Sequence, residues 1–279
     1  MSKRPEHLAP PEVYYNEEEA KKYTQNSRII EIQTQMSERA IELLTLPDDE
    51  PCLLLDIGCG SGLSGEVLEE QGHIWVGMDI APAMLDIAVE RELECGDVLL
   101  SDMGQGCPFR AGSFDGAVSI SALQWLCNAD HKSHNPAQRL KKFFESLYAC
   151  LTRQARAVFQ FYPENANQVE LLTTQAMKAG FYGGLLVDYP NSSKAKKYFL
   201  VLMTGGSMSM PQALGTEENG DSNCVSYARR KQEQLRKMRG KPVKKSREWI
   251  LEKKERRRRQ GKPTRMDSKY TGRKRSGRF

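Results

Sequence analysis

The chain has 279 residues, 39% of them hydrophobic and 28% charged, and a net charge of +5. That length holds one α/β domain of about 200 residues with an appendage. No apolar run reaches the roughly 18 residues of a membrane span, and residues 1–15 lack the apolar core of a secretory signal, so neither insertion nor secretion is expected.

The net charge hides a split. Residues 229–279 hold 23 Lys/Arg against 5 Asp/Glu, a net of +18, which leaves −13 on residues 1–228. An acidic globular part carrying so dense a basic tail points to a polyanionic partner more than to a solvated face. Seven cysteines (Cys52, Cys59, Cys95, Cys107, Cys127, Cys150 and Cys224) are odd in number and contain no C-x-x-C, which suits buried thiols in a reducing compartment and no metal site.

In chain order, residues 16–45 read as helix. Asn16 can cap, Glu17 to Glu19 fall in the first turn, and Ile29, Ile32, Met36, Ala40 and Leu43 recur at helical spacing. Tyr14, Tyr15 and Tyr23 stand ahead of that stripe, either as packing aromatics or in a segment folded across a ligand mouth as a lid. A turn at 47–51 leads to a first strand at 53–57 and a helix marked by Leu63, Val67 and Leu68. There follow a strand at 73–79, a helix at 82–93 with Pro82 in its first turn, and strands at 97–101 and 114–120. A helix at 136–151, a strand at 155–161 and a helix at 169–179 ended by Gly180 come next. Strands at 185–189 and 198–203 close the series, with a short turn between them. Alternating strands and helices imply a mostly parallel, seven-stranded sheet with helices on both faces. The short last connection implies that its final two strands form an antiparallel hairpin. Residues 205–228 are rich in Gly, Ser, Met and Asn and read as a linker.

Ligands of open α/β sheets sit outside the carboxyl ends of the strands. Those ends carry Asp56, Asp79, Asp102-Met103 and Ser119-Ile120-Ser121. After the first strand, closely spaced glycines let the backbone turn sharply against a ligand. Gly60-x-Gly62-x-x-Gly65, with Asp79 beyond it, satisfies a dinucleotide-binding pattern. Asp56 argues for another nucleotide: a pyrophosphate loop has no use for that carboxylate, whereas a ligand with a sulfonium and a free amino group does. Asp56-x-Gly58-x-Gly60-x-Gly62 resembles the first motif of class I S-adenosylmethionine-dependent methyltransferases, whose Rossmann-like fold ends in such a hairpin. On that reading Asp56, Gly58, Gly60, Gly62, Asp79, Ile80, Asp102, Met103, Ser119 and Tyr15 form the cofactor site. Asp79 accepts from ribose hydroxyls, and Asp102 accepts from the adenine amine while Met103 packs on the ring.

The acceptor side shows neither a Pro-Cys pair for carbon methylation nor an Asn/Asp-Pro-Pro-aromatic run for exocyclic amines; Cys107-Pro108 is reversed, and Ser119 to Trp125 reads Ser-Ile-Ser-Ala-Leu-Gln-Trp. Guanine N7 carries a free lone pair at neutral pH, so its methylation needs orientation and exclusion of water, and no general base is expected. Gln124, Trp125 and Tyr162 can hold a flipped purine by stacking and amide hydrogen bonds, although core packing explains Trp125 nearly as well.

More particular segments are Arg4-Pro5-Glu6-His7, Ile80-Ala81-Pro82-Ala83-Met84-Leu85, Ala122-Leu123-Gln124-Trp125-Leu126-Cys127-Asn128, Val187-Asp188-Tyr189-Pro190-Asn191-Ser192 and the ending Tyr270-Thr271-Gly272-Arg273-Lys274-Arg275. With them the chain resembles the eukaryotic 18S ribosomal RNA guanine-N7 methyltransferases over essentially its whole length. The resemblance implies methylation of one guanine in small-subunit rRNA, a role in nuclear 40S maturation with some cytoplasmic protein, and a small zinc-binding activator subunit as heterodimer partner. It implies four segments: a helical lid (1–50), the methyltransferase domain (51–204), the linker (205–228) and a basic tail for RNA binding and nuclear targeting (229–279). In the tail, residues 244–259 form a helix carrying Trp249 or order only on RNA. Two other readings stay open: a methyltransferase of proteins or small molecules, and an assembly factor whose scaffold role is independent of catalysis. The strand at 97–101, short, apolar and unguarded by Lys or Pro, is expected at a sheet edge open to the activator.

Overall fold

The Leu-rich run Leu53–Ile57 forms β1, buried on both faces as a strand between two helical layers must be. The computed structural model describes residues 4–47, 50–91, 93–192, 195–205, 210–215, 247–259, 264–268 and 271. In it β1 pairs in parallel with β2 (Ile74–Asp79) and β4 (Phe114–Ile120). β3 (Gly96–Leu100) joins β2, and β5 (Leu151–Phe161) joins β4. The hairpin of β6 (Tyr182–Asp188) and β7 (Lys197–Met203) adds antiparallel, giving the order β3-β2-β1-β4-β5-β7-β6. This is the expected class I methyltransferase sheet, with β3 at one edge.

Period-two alternation sends Leu55 and Ile57 to one face and Leu54 to the other, so each face has its own core. On the first, α6 (Pro136–Cys150) and α7 (Ala166–Lys178) bring Phe143, Phe144, Leu147 and Leu172 against Phe159 and Leu200. On the second, α3 (Ser27–Leu44) and α4 (Leu63–Glu70) bring Met36, Ala40, Leu43, Val67 and Leu68 against Leu54 and Trp75. α5 (Pro82–Glu90) packs beside β2 and β3.

Several boundaries differ from the expected ones: β5 begins at Leu151 and not at 155, α5 ends at Glu90 and not at 93, and three further differences have a local cause. The helix of residues 16–45 is two, α2 (Glu17–Gln25) and α3, because Asn26 accepts from the N–H groups of Arg28 and Ile29 as Asn16 does from Glu18 and Glu19. Each Asn replaces a missing helical acceptor, and the second starts a new helix where periodicity alone reads through. β6 begins at Tyr182, since Gly183 and Gly184 pair with Leu202 and Val201 although glycine is a poor strand signal. α7 starts at Ala166 because Asn165 accepts from Gln168 N–H. Ahead of α2 lie a 3-10 turn (Pro5–His7) and the short α1 (Pro11–Tyr14).

The chain divides into two compact units, Met1–Gly220 and Asp221–Phe279. In the second, α8 (Arg247–Arg259) carries Trp249 beneath Lys253, 5.0 Å from the ring centroid, and Lys254 pairs with Asp267 at 2.9 Å. Most of the expected linker, and the remainder of the tail including Arg273 to Arg275, lie outside the described residues.

The fully buried Trp75 fixes how α4 sits on the sheet. Its Nε1 donates to Glu69 at 3.1 Å, and a Cβ on Gly65, Gly77 or Gly96 would overlap its indole. Gly65 is therefore a packing glycine that faces Trp75. Gly65→Val should overpack this slot and cost about 1–3 kcal/mol. A denaturation midpoint equal to that of the parent chain would contradict the assignment.

Candidate active site

Beyond Ile57 the chain turns through Gly58, Gly60 and Gly62 at φ of 70°, 53° and 79°, a region side chains rarely adopt. The loop is tied to the end of β2. Gly58 and Cys59 N–H donate to Met78 O at 2.8 and 3.2 Å, and Gly60 N–H donates to Asp79 Oδ2 at 2.8 Å. Asp79 Oδ1 accepts from Ala81 N–H at 2.8 Å, which sets the entry into α5. Burial holds the Asp79 carboxyl above the usual carboxylate range, against the lowering effect of these N–H donors. Both oxygens keep lone-pair capacity for the hydroxyls of a ribose.

Asp56 lies one layer deeper. It is fully buried, its Oδ2 accepts from Ser64 Oγ at 2.6 Å, and its Oδ1 has no hydrogen-bond partner among the described residues. Burial pushes its pKa up to about 7, with the Asp79 charge adding and the Ser64 bond opposing. Asp102, just beyond β3, accepts from Gly104 N–H at 2.8 Å and takes Arg139 Nη2 on both oxygens at 2.8 Å. Arg139, from α6, also approaches His134 Nδ1 at 3.3 Å and Asp130 at 4.0 Å.

Asp79, Asp102, Ser64 and Arg139 line a cavity of about 360 Å³, within the range of small-molecule sites, about 300–1,000 Å³. The N-terminal segment supplies one wall through Pro5, Glu6, Pro11, Glu12 and Tyr15. It is docked by Arg4, whose guanidinium donates to Tyr162 O and Pro163 O at 2.9 and 3.1 Å, and by His7, 3.3 Å from Glu164. Tyr15 packs on Trp125 and Tyr23 at centroid distances of 5.9 and 6.0 Å. Burial, reinforced by nearby Tyr23, Tyr14, Asp79 and Glu6, raises its hydroxyl pKa and keeps it protonated. Opposite, Ser121 follows β4 at φ 59°, and its hydroxyl donates to Gln160 Oε1 at 2.7 Å. Gln124 Nε2 donates to Ser121 O at 2.8 Å, which fixes the amide and leaves Oε1 as its other end.

The cavity brings together Tyr15, Gly58, Gly60, Asp79, Ile80, Asp102, Met103, Gln124, Trp125 and Tyr162. Asp56, Gly62 and Ser119 do not reach its wall. Asp56 acts through Ser64, Gly62 faces Ala88 of α5, and Ser119 is buried inside β4 while Ile120 and Ser121 line the cavity in its place. The Asp102 carboxylate is largely engaged by Arg139, which leaves little capacity for an adenine amine. Sequence reasoning missed Glu6, Glu12, Asp130, His131, His134 and Arg139. The only signal for them is the polar run from Asp130 to His134, since Arg139 meets Asp102 across 37 residues. Titratable groups thus stand in a wall where no general base was expected; His131 lies 3.9 Å from Glu12 and His134 meets Arg139.

The raised pKa of Asp56 has a signed consequence. The folded state holds this proton up to about pH 7, whereas the unfolded chain releases it in the ordinary carboxylate range. Its contribution is therefore complete below the unfolded value and is lost as pH rises through about 7. Asp56→Asn, which stays neutral, should gain on the parent chain between about pH 4 and 7, by at most about 1.4 kcal/mol per pH unit. Melting both proteins across that range checks this; a Tm difference independent of pH would refute it.

Two family models match the chain, "Methyltransferase domain" over residues 55–159 and "Methyltransferase involved in Williams-Beuren syndrome" over residues 202–277. Among solved structures, the magnesium protoporphyrin IX methyltransferase of Synechocystis is 14% identical with a TM-score of 0.53, over 73% of this chain and 99% of its own. That likeness concerns the fold alone. The 18S rRNA (guanine-N(7))-methyltransferase of Mus musculus is 60% identical over 278 residues, 100% of this chain and 99% of its own length. The 18S rRNA (guanine(1575)-N(7))-methyltransferase of Saccharomyces cerevisiae is 50% identical over 279 residues, 99% of each. Identity of this extent, across the fold, the site and the basic tail alike, shows that the chain belongs to the 18S rRNA (guanine-N7)-methyltransferase family.

Proposed function

We propose that the chain uses S-adenosylmethionine to methylate N7 of a guanine in 18S rRNA, within nuclear maturation of the small ribosomal subunit. The observation that carries this reading is one cavity joining two unlike ends: Asp79 and Asp102 beyond β2 and β3, and Gln124, Trp125 and Tyr162 beyond β4 and β5. The residues present fit the cofactor. Gly58 and Gly60 turn the loop at positive φ with no side chain of their own, Asp79 has lone pairs for a ribose, Met103 offers an apolar surface to an adenine, and the fully buried Asp56 and partly buried Asp79 favour a cationic group. Bound S-adenosylmethionine supplies an electrophilic methyl group. The chain's own residues do the rest: Trp125 and Tyr162 present aromatic surface to a flipped base, Gln124 offers its amide, Tyr15 stays with the cofactor near Asp79, and the docked N-terminal segment excludes water. Since guanine N7 needs no deprotonation, orientation and dryness are the main requirements.

Gly60→Glu places a carboxylate in the cradle, and Asp79→Ala removes charge-assisted bonds worth roughly 1.5–3 kcal/mol, about ten- to a hundred-fold in affinity. Either variant should lose S-adenosylmethionine binding by calorimetry while folded. Neither should restore N7-methylguanine to 18S rRNA in cells depleted of the enzyme, where the parent chain does. A folded variant with unchanged cofactor affinity, or a parent chain that restores no N7-methylguanine, would refute the reading.

The four-segment organisation, the basic tail's role in RNA binding and nuclear import, and the zinc-binding activator belong to the same proposal. For the activator, the support is the state of β3. Leu99 and Leu100 are 38% and 58% exposed, and Val89 on the adjoining α5 is exposed as well. An edge strand with exposed apolar side chains suits a partner that adds a strand, although the Val98 N–H on that edge is already held by Asp97 Oδ1 at 2.8 Å. Leu100→Lys, alone and with Leu99→Lys, should abolish co-purification with the activator and leave the melting temperature near that of the parent chain. Folded variants that co-purify as the parent does would place the activator elsewhere.

A further inference from the structure

Four side chains in the cavity wall have a solvent-shielded atom with no hydrogen-bond partner among the described residues: Glu6 Oε2, Ser61 Oγ, Gln124 Oε1 and Arg139 Nε. Glu6 is the only carboxylate of the four. The other acids of the wall are engaged: Asp79 by Gly60 and Ala81, Asp102 by Arg139 and Gly104, Glu12 near His131, and Asp130 near Arg139. A buried carboxylate oxygen without a donor is costly unless a ligand supplies one.

Its place says which ligand. Glu6 sits in the 3-10 turn Pro5–His7, held on one side by Arg4 on Tyr162 O and Pro163 O and on the other by His7 on Glu164. That turn docks beyond β5. Asp79 and Asp102 stand beyond β2 and β3, on the other side of β1 and β4, and Tyr15, which has both Glu6 and Asp79 as neighbours, lies between the two ends. The turn thus holds Glu6 in the part of the cavity where its backbone docks on Tyr162 and where Tyr15, beside Glu6, packs on Trp125.

Resting on the guanine-N7 reading above, we infer that Glu6 selects the base, its carboxylate accepting hydrogen bonds from guanine N1–H and the 2-amino group. Those donors lie on the edge of the purine opposite N7. A guanine held on Glu6 therefore turns N7 away from the turn and toward the rest of the cavity. Adenine presents a lone pair at N1 and has no 2-amino group, so the same carboxylate repels it. A site built around hydrogen-bond donors of its substrate discriminates strongly against analogues that lack them.

The test uses the full chain saturated with S-adenosylhomocysteine and a short uridine-rich RNA with a single guanosine, compared with its inosine counterpart, which lacks only the 2-amino group. The parent chain should bind the guanosine RNA roughly ten-fold or more tightly than the inosine RNA, as expected for a hydrogen bond to a charged group. In Glu6→Gln that preference should vanish while the affinity for S-adenosylhomocysteine and the melting temperature stay those of the parent. A purely structural role for Glu6 would weaken both RNAs alike and leave the preference in place. The inference is overturned if Glu6→Gln keeps the preference, if the parent chain shows none, or if the variant loses S-adenosylhomocysteine, which would place Glu6 in the cofactor site. Absence of N7-methylguanine from rRNA modified by the parent chain would instead remove the reading on which the inference rests.

Discussion

The two hydrogen bonds accepted by Asp79 hold the site together. One fixes Gly60 in the loop after β1, and the other fixes Ala81 at the start of α5. A single carboxylate thus sets the position of two successive strand–helix crossings, one strand from the reversal of strand order between β1 and β4 where open α/β sheets bind ligands. The loop's other ties, from Gly58 and Cys59 to Met78 O, run to the same strand end. Displacing β2 would shift the cradle, the α5 terminus and the Trp75 slot together, because Trp75 lies on β2 and separates it from Gly65 of α4. The packing on the second face and the shape of the cofactor end are therefore one constraint.

Charge is distributed unevenly around that constraint. Asp102 is neutralised by Arg139, whose Nη2 is shared between both carboxylate oxygens in a charge-assisted contact. Asp56 and Asp79 receive only a hydroxyl and backbone N–H groups, and burial raises both pKa values. A buried and a partly buried carboxylate without a basic side chain bonded to them favour a ligand that brings positive charge, in keeping with a sulfonium and an ammonium. Across the cavity the groups are mainly aromatic rings and amides, which suit a neutral base. The cavity is polarised along the sheet before any ligand arrives.

The parts of this arrangement encoded locally were legible in the sequence. Apolar runs ending in Asp marked β1 and β2 because both buried faces and the carboxylate lie within six residues, and the short 190–197 connection revealed the antiparallel hairpin. Boundaries failed where one side chain outweighs periodicity, as at Asn26 and Asn165, or where long-range pairing imposes a strand on Gly183 and Gly184. The missed site residues fail for a related reason. Arg139 looks like one more charge on an amphipathic helix until the fold brings it to Asp102. Ser119 erred by side-chain direction: the ligand end of β4 begins where the backbone turns at Ser121, one step past the regular alternation. Glu6 was read within a family-like segment, but its chemistry depends on a turn docked some 157 residues away along the chain, at Glu164.

The two edges of the sheet meet the same physical problem in opposite ways. At the β6 edge, Asp188 is almost fully buried, pairs with Arg39 at 2.9 Å and accepts from Leu214 N–H at 2.8 Å, while Tyr189 N–H donates to Leu214 O. The segment at 210–215 is thereby strapped over the end of β6, and a charged pair within the chain anchors the strap. At β3 the apolar side chains Leu99 and Leu100 stay open to solvent, and the strand has neither a bulge nor a basic residue. Exposed edges of this kind promote association unless something covers them. One edge is finished by the chain's own sequence and the other is not. The unfinished edge lies beside Asp102, at the cofactor end of the cavity, so the Arg139 network attached to that carboxylate sits next to the open strand.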